Sequence, residues 1–194
     1  MFDSGWIPDA MNETWITPVW KGTNKGNPSD YRPIAITNHL MEVLERVVRL
    51  EIVDFLTTNG VLDDQQHGGR ALRSTVSQLL DQNNWIIDSL DEGSNVDLLY
   101  LDFSKAFDLV DLSILVQKLN SASITGKALE WIMSFLSNRQ QRVRVENSLS
   151  SERKVRSGVP QGSVLGPVLF LMYIADLQLT NPGTHSKLLK FVDN

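Results

Sequence analysis

One stretch, VDLLYLDF (96–103), constrains the fold of this chain more than any other. It is a near-continuous apolar run of strand length, and such a run reads as a β-strand buried on both faces, with other layers above and below it. Asp102 stands where the run gives out, the position at which layered sheets present functional groups to a cleft. Strands and helices mix along the rest of the chain without strict βαβ alternation, so the predicted fold class is α+β.

The remaining pattern supports this. Up to about residue 36 the chain is rich in Pro, Gly, Asn and Thr around two short β-like pieces, WITPVW and RPIAIT, expected as loops and edge strands. A helix is predicted after Asn38, where Leu40, Val43, Leu44, Val47 and Val48 recur at helical spacing, with Asn59-Gly60 as its stop. A second helix is predicted from near Ser74, with Val76, Leu79, Leu80, Ile86, Ile87 and Leu90 on one face and Gly93 at its end. Two further helical patterns, LSILVQKL and GKALEWIMSFL, follow the apolar strand. QRVRV then alternates with period two, and a turn at ENS suggests a hairpin over residues 140–158, with Val143 and Val145 inward and Arg142 and Arg144 outward. GPVLFLMYIADL reads as a helix with Pro167 in its first turn, and LLKFV (188–192) as a closing strand.

Composition narrows the chemistry. With 194 residues, 42% of them hydrophobic, the chain is long enough to bury a sizeable core. It has no cysteine, which excludes disulfides, thiolate metal sites and a cysteine nucleophile. His39, His67 and His185 lie too far apart for ligand spacing. The first fifteen residues, MFDSGWIPDAMNETW, show neither a basic leader nor an apolar signal core, and the longest apolar run, VLFLMYI, is far short of a bilayer crossing; a soluble, intracellular protein with no membrane partner is expected, nuclear or cytoplasmic left open.

The net charge of −5 is unevenly spread. Seven acids face one lysine between Asp88 and Asp111, whereas six basic residues (Arg139, Arg142, Arg144, Arg153, Lys154, Arg156) face Glu146 and Glu152 between Arg139 and Arg156. An acidic centre beside a basic arm suits a site that holds cations and tracks a phosphate backbone. Asp193 repeats the setting of Asp102, following the apolar LLKFV. If the two strand ends adjoin, this pair suits two divalent cations about 3.5–4 Å apart; ion pairs and caps also place aspartates at strand ends, and spacing alone leaves these alternatives open. Between them, SGVPQGSVLGP (157–167) is a glycine-containing loop leading into a helix, a pattern shared by phosphate sites and by tight structural turns.

Taken in order, the stretches ITPVWK with NPSDYRPIAIT, MEVLERVV, QQHGGRALRSTVSQLL, LLYLDFSKAFDLVD, SFLSNRQQRVRV, SGVPQGSVLGPVLFLMYIADL and FVDN resemble the reverse transcriptase domain of non-LTR (LINE-type) retrotransposons. The resemblance implies a right-hand polymerase with residues 1–94 as a fingers-like region and 95–194 as palm, the palm carrying an inserted helical and basic-hairpin portion at about 112–157. It implies that the thumb is absent and that no endonuclease portion precedes Met1. The implied activity is RNA-directed DNA polymerisation with Mg2+ or Mn2+, taking deoxynucleoside triphosphates, an RNA template and a DNA primer.

By position, Asp102 and Asp193 match the family's catalytic metal ligands. Phe107 matches the bulky residue beneath the incoming sugar, with Ser104, Lys105 and Ala106 bordering the triphosphate. Gln161 matches the glutamine lining the nucleotide site, and Gly162 the glycine that lets backbone and nucleic acid approach. Arg70 and Arg73 match basic positions suited to phosphate, and Arg142 and Arg144 are expected to face nucleic acid. Three departures stand out. Asn194 replaces the second aspartate of the final motif, keeping an acceptor but losing the charge. Gly69 stands where phenylalanine is usual and Leu72 where glycine is. Leu112 takes the place of a common histidine. The competing expectations are a catalytically inactive remnant that at most binds nucleic acid, and an RNA-templated RNA polymerase, against which Phe107 and the PQGSVLGP match both argue.

Overall fold

The computed structural model describes residues 5, 7–8, 11–137, 139–179 and 185–191. Its sheet is mixed. β1 (Glu13–Trp20) and β2 (Tyr31–Ile36) pair antiparallel from Trp15 opposite Ile36 to Trp20 opposite Tyr31. The turn joining them is held by polar side chains: Asn27 accepts from the Ser29 N–H at 3.1 Å and Asp30 from the Asn24 N–H at 2.7 Å. β1 also pairs in parallel with β3 (Gln140–Val145), from Glu13 opposite Gln140 to Ile16 opposite Val143. The first half of β1 is therefore interior rather than an edge, and Pro18 lies past the last pair with β3, where a missing N–H costs no bond on that side. β3 continues into the expected hairpin, pairing antiparallel with β4 (Ser148–Leu149) and β5 (Arg153–Lys154).

The helices form where the local signals predict them. Asn38 caps α1 (His39–Thr58), accepting from the Leu40 N–H at 2.9 Å. Ser74 and Ser77 make a reciprocal capping box at the start of α2 (Thr75–Asp91). Asp111 caps α3 (Leu112–Ser121), and α4 (Gly126–Leu136) follows it. α5 (Gly166–Tyr173) carries Pro167 in its first turn. Because α5 is apolar all round it sits at the centre: Val168 through Met172 are buried against Leu115 and Leu119 of α3, Trp131 and Phe135 of α4, and the Val48, Ile52 and Leu56 face of α1. No helix among the described residues is long and apolar enough to cross a membrane.

Four expectations are corrected. Residues 96–103 are not a strand, and Leu99, Tyr100 and Leu101 are 83%, 77% and 73% exposed. A strand needs a ladder partner on each side to be buried, and among the described residues none pairs with it. The apolar face expected for α2 is likewise open, Val76, Leu79, Leu80, Ile87 and Leu90 all being exposed. On α1 the core takes Met41, Glu45, Val48, Ile52 and Leu56, while Leu40, Val43 and Val47 face out. Finally, the described part of LLKFV forms a single bridge, Lys190 with Gln66, rather than a strand. That segment is tied down by ionic contacts instead: Lys190 reaches Asp63 at 2.6 Å and Lys187 reaches Asp81 at 2.6 Å.

Leu72 occupies left-handed backbone at φ 62° with its side chain fully exposed. A β-carbon there costs about 1–2 kcal/mol, partly offset by glycine's larger unfolded entropy. Leu72→Gly is therefore expected to raise the unfolding free energy by about 1 kcal/mol in urea titration; a decrease would show that the leucine makes a contact that matters.

Candidate active site

The two motifs that the sequence separates by about fifty residues meet in space. Residues 104–109 form a turn in which the Lys105 carbonyl, at φ 50°, accepts from the N–H groups of Asp108 and Leu109 at 3.0 and 3.1 Å. The 157–162 loop lies against it. The Gly158 N–H donates to Val110 at 2.9 Å, the Val159 N–H to Phe107 at 2.8 Å, and the Ser157 hydroxyl to Asp108 at 3.3 Å. Gly158 has φ +82°, and a Cβ there would stand 2.7 Å from the Phe107 carbonyl oxygen and 2.8 Å from the Asp108 Cα. Gly158→Ala is expected to cost about 2 kcal/mol of stability and to loosen protection of the Val159 amide in hydrogen exchange. A neutral substitution would mean that the loop has room to move.

α5 supports this junction from below. Phe107 stacks on Phe170 at 5.1 Å between centroids, and Phe103 meets the same ring edge-on at 6.1 Å. Ser104 and Lys105 are exposed and Ala106 is half-buried. On the other side the Gln161 carbonyl accepts from the Ala35 N–H at 2.7 Å, joining the loop to β2. Gly162, at φ +106°, makes room for the Ala35 carbonyl of β2, 2.8 Å from where its Cβ would be, so the close approach it permits here is to the protein's own backbone.

Asp102 is exposed at the mouth of the turn, and among the described residues it takes part in no ion pair. Asp193 and Asn194 lie outside the described residues, and so does the expected meeting of Asp102 with Asp193. Among the described residues no group of three or more His, Asp or Glu side chains is placed to hold a metal.

The four expected arginines are engaged within the chain. Arg70 donates to the Asp63 carbonyl at 2.6 Å, and Arg73 pairs with Asp64 at 3.2 Å. Arg142 bridges Glu13 at 3.3 Å and Glu152 at 2.9 Å, and Arg144 lies over the Trp15 ring at 5.3 Å. The hairpin's valines do not point inward: Val143 and Val145 are 38% and 54% exposed, because β3 packs its first residues, not its last, against β1.

Two residues were not legible as special. Glu45 is fully buried on α1, its Oε2 accepting from the Leu165 N–H at 2.9 Å, and burial pushes its carboxyl up. Arg139, 6% exposed at the start of the basic run, has a guanidinium pushed down to about 10 by burial, against the pull of Glu45 and Asp108. Glu45 sits at a core position of a helical repeat, which is a usable signal for a partnered carboxylate; Arg139 looks like any other arginine of its run.

A mixed sheet with helices packed to one core, joining an aromatic turn to a glycine-containing loop, fits a reverse transcriptase domain. Residues 22–194 match the family described as reverse transcriptase (RNA-dependent DNA polymerase), and the chain belongs to it. It is 36% identical over 163 residues to the "Probable RNA-directed DNA polymerase from transposon BS" of Drosophila melanogaster, covering 82% of this chain and 18% of that protein. It is 32% identical over 169 residues to the corresponding protein from transposon X-element of the same species, covering 86% and 18%, and 29% identical over 181 residues to the RNA-directed DNA polymerase from mobile element jockey of Drosophila funebris, covering 93% and 20%. The resemblance to reverse transcriptase domains of non-LTR retrotransposons thus holds over most of the chain, which spans about a fifth of the length of these relatives.

Proposed function

We propose that this chain supplies the catalytic portion of an RNA-directed DNA polymerase, extending a DNA primer with deoxynucleotides on an RNA template. The observation that supports this best is the junction of the Phe107 turn with the Gln161 loop, both carried on the buried α5. In this reading residues 1–94 serve as fingers and 95–194 as palm, with 112–157 inserted. Phe107, braced by Phe170, excludes a 2′-hydroxyl by its bulk. Ser104, Lys105 and Ala106 border the triphosphate and Gln161 orients the nucleotide. Arg70 and Arg73 reach phosphate by exchanging Asp64 for it, a substitution of one oxyanion for another.

Asp102 and Asp193 would hold Mg2+ or Mn2+. The exposed, unpaired carboxylate of Asp102 is a hard oxygen donor of the right kind. When bound, such ions offset the charge on the attacking and leaving oxygens of phosphoryl transfer. The second reading, a remnant that binds nucleic acid without catalysis, is favoured by Asn194, where a carboxylate is replaced by an amide. Primer extension with Mg2+ or Mn2+ on an RNA template separates the two. Incorporation of deoxynucleotides in preference to ribonucleotides supports the polymerase; extension that prefers ribonucleotides, or binding without extension by this chain and by a version continued with a relative's following segment, removes it.

A further inference from the structure

A cavity of about 400 Å3 opens between the sheet and the 157–161 loop, on the side of the loop away from α5's aromatic contacts. Thr14 and Ile16 of β1, Pro33 and Ala35 of β2 and Gln141 of β3 form its sheet wall. Its size falls within the range of ligand sites, about 300–1,000 Å3. Its charge is lopsided: Arg139, Lys154 and Arg156 line it against a single carboxylate, Asp108.

The state of these cations distinguishes them from the rest of the basic run. Arg142 and Arg144 are spent on Glu13, Glu152 and Trp15. Among the described residues Lys154 and Arg156 enter no ion pair. Arg139 is more than nine-tenths buried, yet its Nε has no hydrogen-bond partner and its Nη2 reaches the Gly158 carbonyl only at 3.5 Å. Burying a guanidinium with a donor unused is costly unless an acceptor completes it. The cavity is where such an acceptor fits, with the neutral polar groups of Ser157 and Gln161 beside it.

We propose that this cavity is a binding site for a backbone phosphate of a nucleic-acid strand, held by Lys154 and Arg156 at its mouth and by Arg139 at its base. The choice of a strand over another anion rests on the polymerase reading. Gln161 lines the cavity and belongs to the loop that carries the candidate nucleotide site, so a strand seated here runs directly beside that site. A phosphodiester carries one charge, which two mobile cations and one fixed guanidinium can match without stripping Asp108 of its own partners. The earlier expectation for the hairpin is thereby redirected, from Arg142 and Arg144 to the cations on the cavity side.

The test measures binding of a fluorescein-labelled RNA, alone and annealed to a DNA primer, by anisotropy as a function of salt. Changing Lys154 and Arg156 together to alanine is expected to reduce the slope of log K against log salt by about two units, while the Arg142→Ala, Arg144→Ala pair leaves it nearly unchanged. In parallel, the Arg139 Nε–H resonance of 15N-labelled protein should shift on adding the RNA, and less so on adding inorganic phosphate or a deoxynucleoside triphosphate. Melting temperature and circular dichroism check that the variants fold, and the resonance of the unmutated protein keeps the test valid if they do not. An unchanged slope in a folded Lys154, Arg156 variant overturns the proposal, as does a resonance that answers to the triphosphate but not to RNA. Primer extension measured on the same samples keeps the two readings apart: a localised slope loss without extension leaves the cavity standing and removes the polymerase.

Discussion

Changing Asp102 to asparagine is expected to lower primer extension by roughly 10² to 10³, and changing Asn194 to aspartate to raise it by a similar factor. Both substitutions alter one negative charge where two divalent cations would be held. An amide keeps an acceptor oxygen but contributes no formal charge, and the electrostatic stabilisation at stake is on the order of 3–4 kcal/mol, as for one preorganised polar group in a catalytic site. Since the chain spans about a fifth of its relatives, the assay uses it joined to the segment that follows the matching region in the X-element protein, under single-turnover conditions with Mg2+. A gain on Asn194→Asp identifies a competent site limited by one missing carboxylate. Full activity with Asn194 in place would show the second carboxylate to be dispensable. No activity in either version would place the defect elsewhere, with Gly69 and Leu72 the next positions to restore.

The second large effect falls on stability. Glu45→Ala removes the acceptor for the buried Leu165 N–H, which opens α5, and withdraws the negative charge nearest to Arg139. A loss of about 3 kcal/mol is expected in urea unfolding, the cost of an orphaned buried donor together with an uncompensated buried cation. The pH dependence has a definite sign. Burial raises the Glu45 carboxyl above its ordinary value of 4.5, so between that value and the raised one the folded chain holds more protons than the unfolded chain. Stability contributed by this residue is therefore fully present below about pH 4.5 and declines as pH rises through the folded value. Glu45→Gln should flatten that decline while retaining an acceptor for Leu165. Asp81 acts in the opposite direction: its hydrogen bond from Lys187 holds its carboxyl down, so its contribution is lost as pH falls. If the difference between wild type and Glu45→Gln does not vary with pH, the carboxyl is not held up by its surroundings.

The sequence by itself determined the local elements. Asn38, Ser74 and Asp111 set helix starts because each cap bonds an N–H two or three residues ahead, a contact complete within one turn of chain. Pro167 and the unbroken apolar run after it marked α5 as the helix to be surrounded. The motif order placed the chain in its family for the same reason, since each motif is contiguous. What only the tertiary structure decided is everything whose partner lies far along the chain. The parallel pairing of β1 with β3 joins residues more than a hundred positions apart and has no local signature. Arg139 became a buried cation, and Arg142 three residues later an ion-paired one, because β3 docks by its first residues on β1. The run at 96–103 carries the pattern of a buried strand, yet burial is conferred by neighbouring strands and not by the run itself, so Leu99, Tyr100 and Leu101 stay exposed where none pairs with them. Hydrophobic pattern states what a segment can bury; only the fold supplies the surface it is buried against.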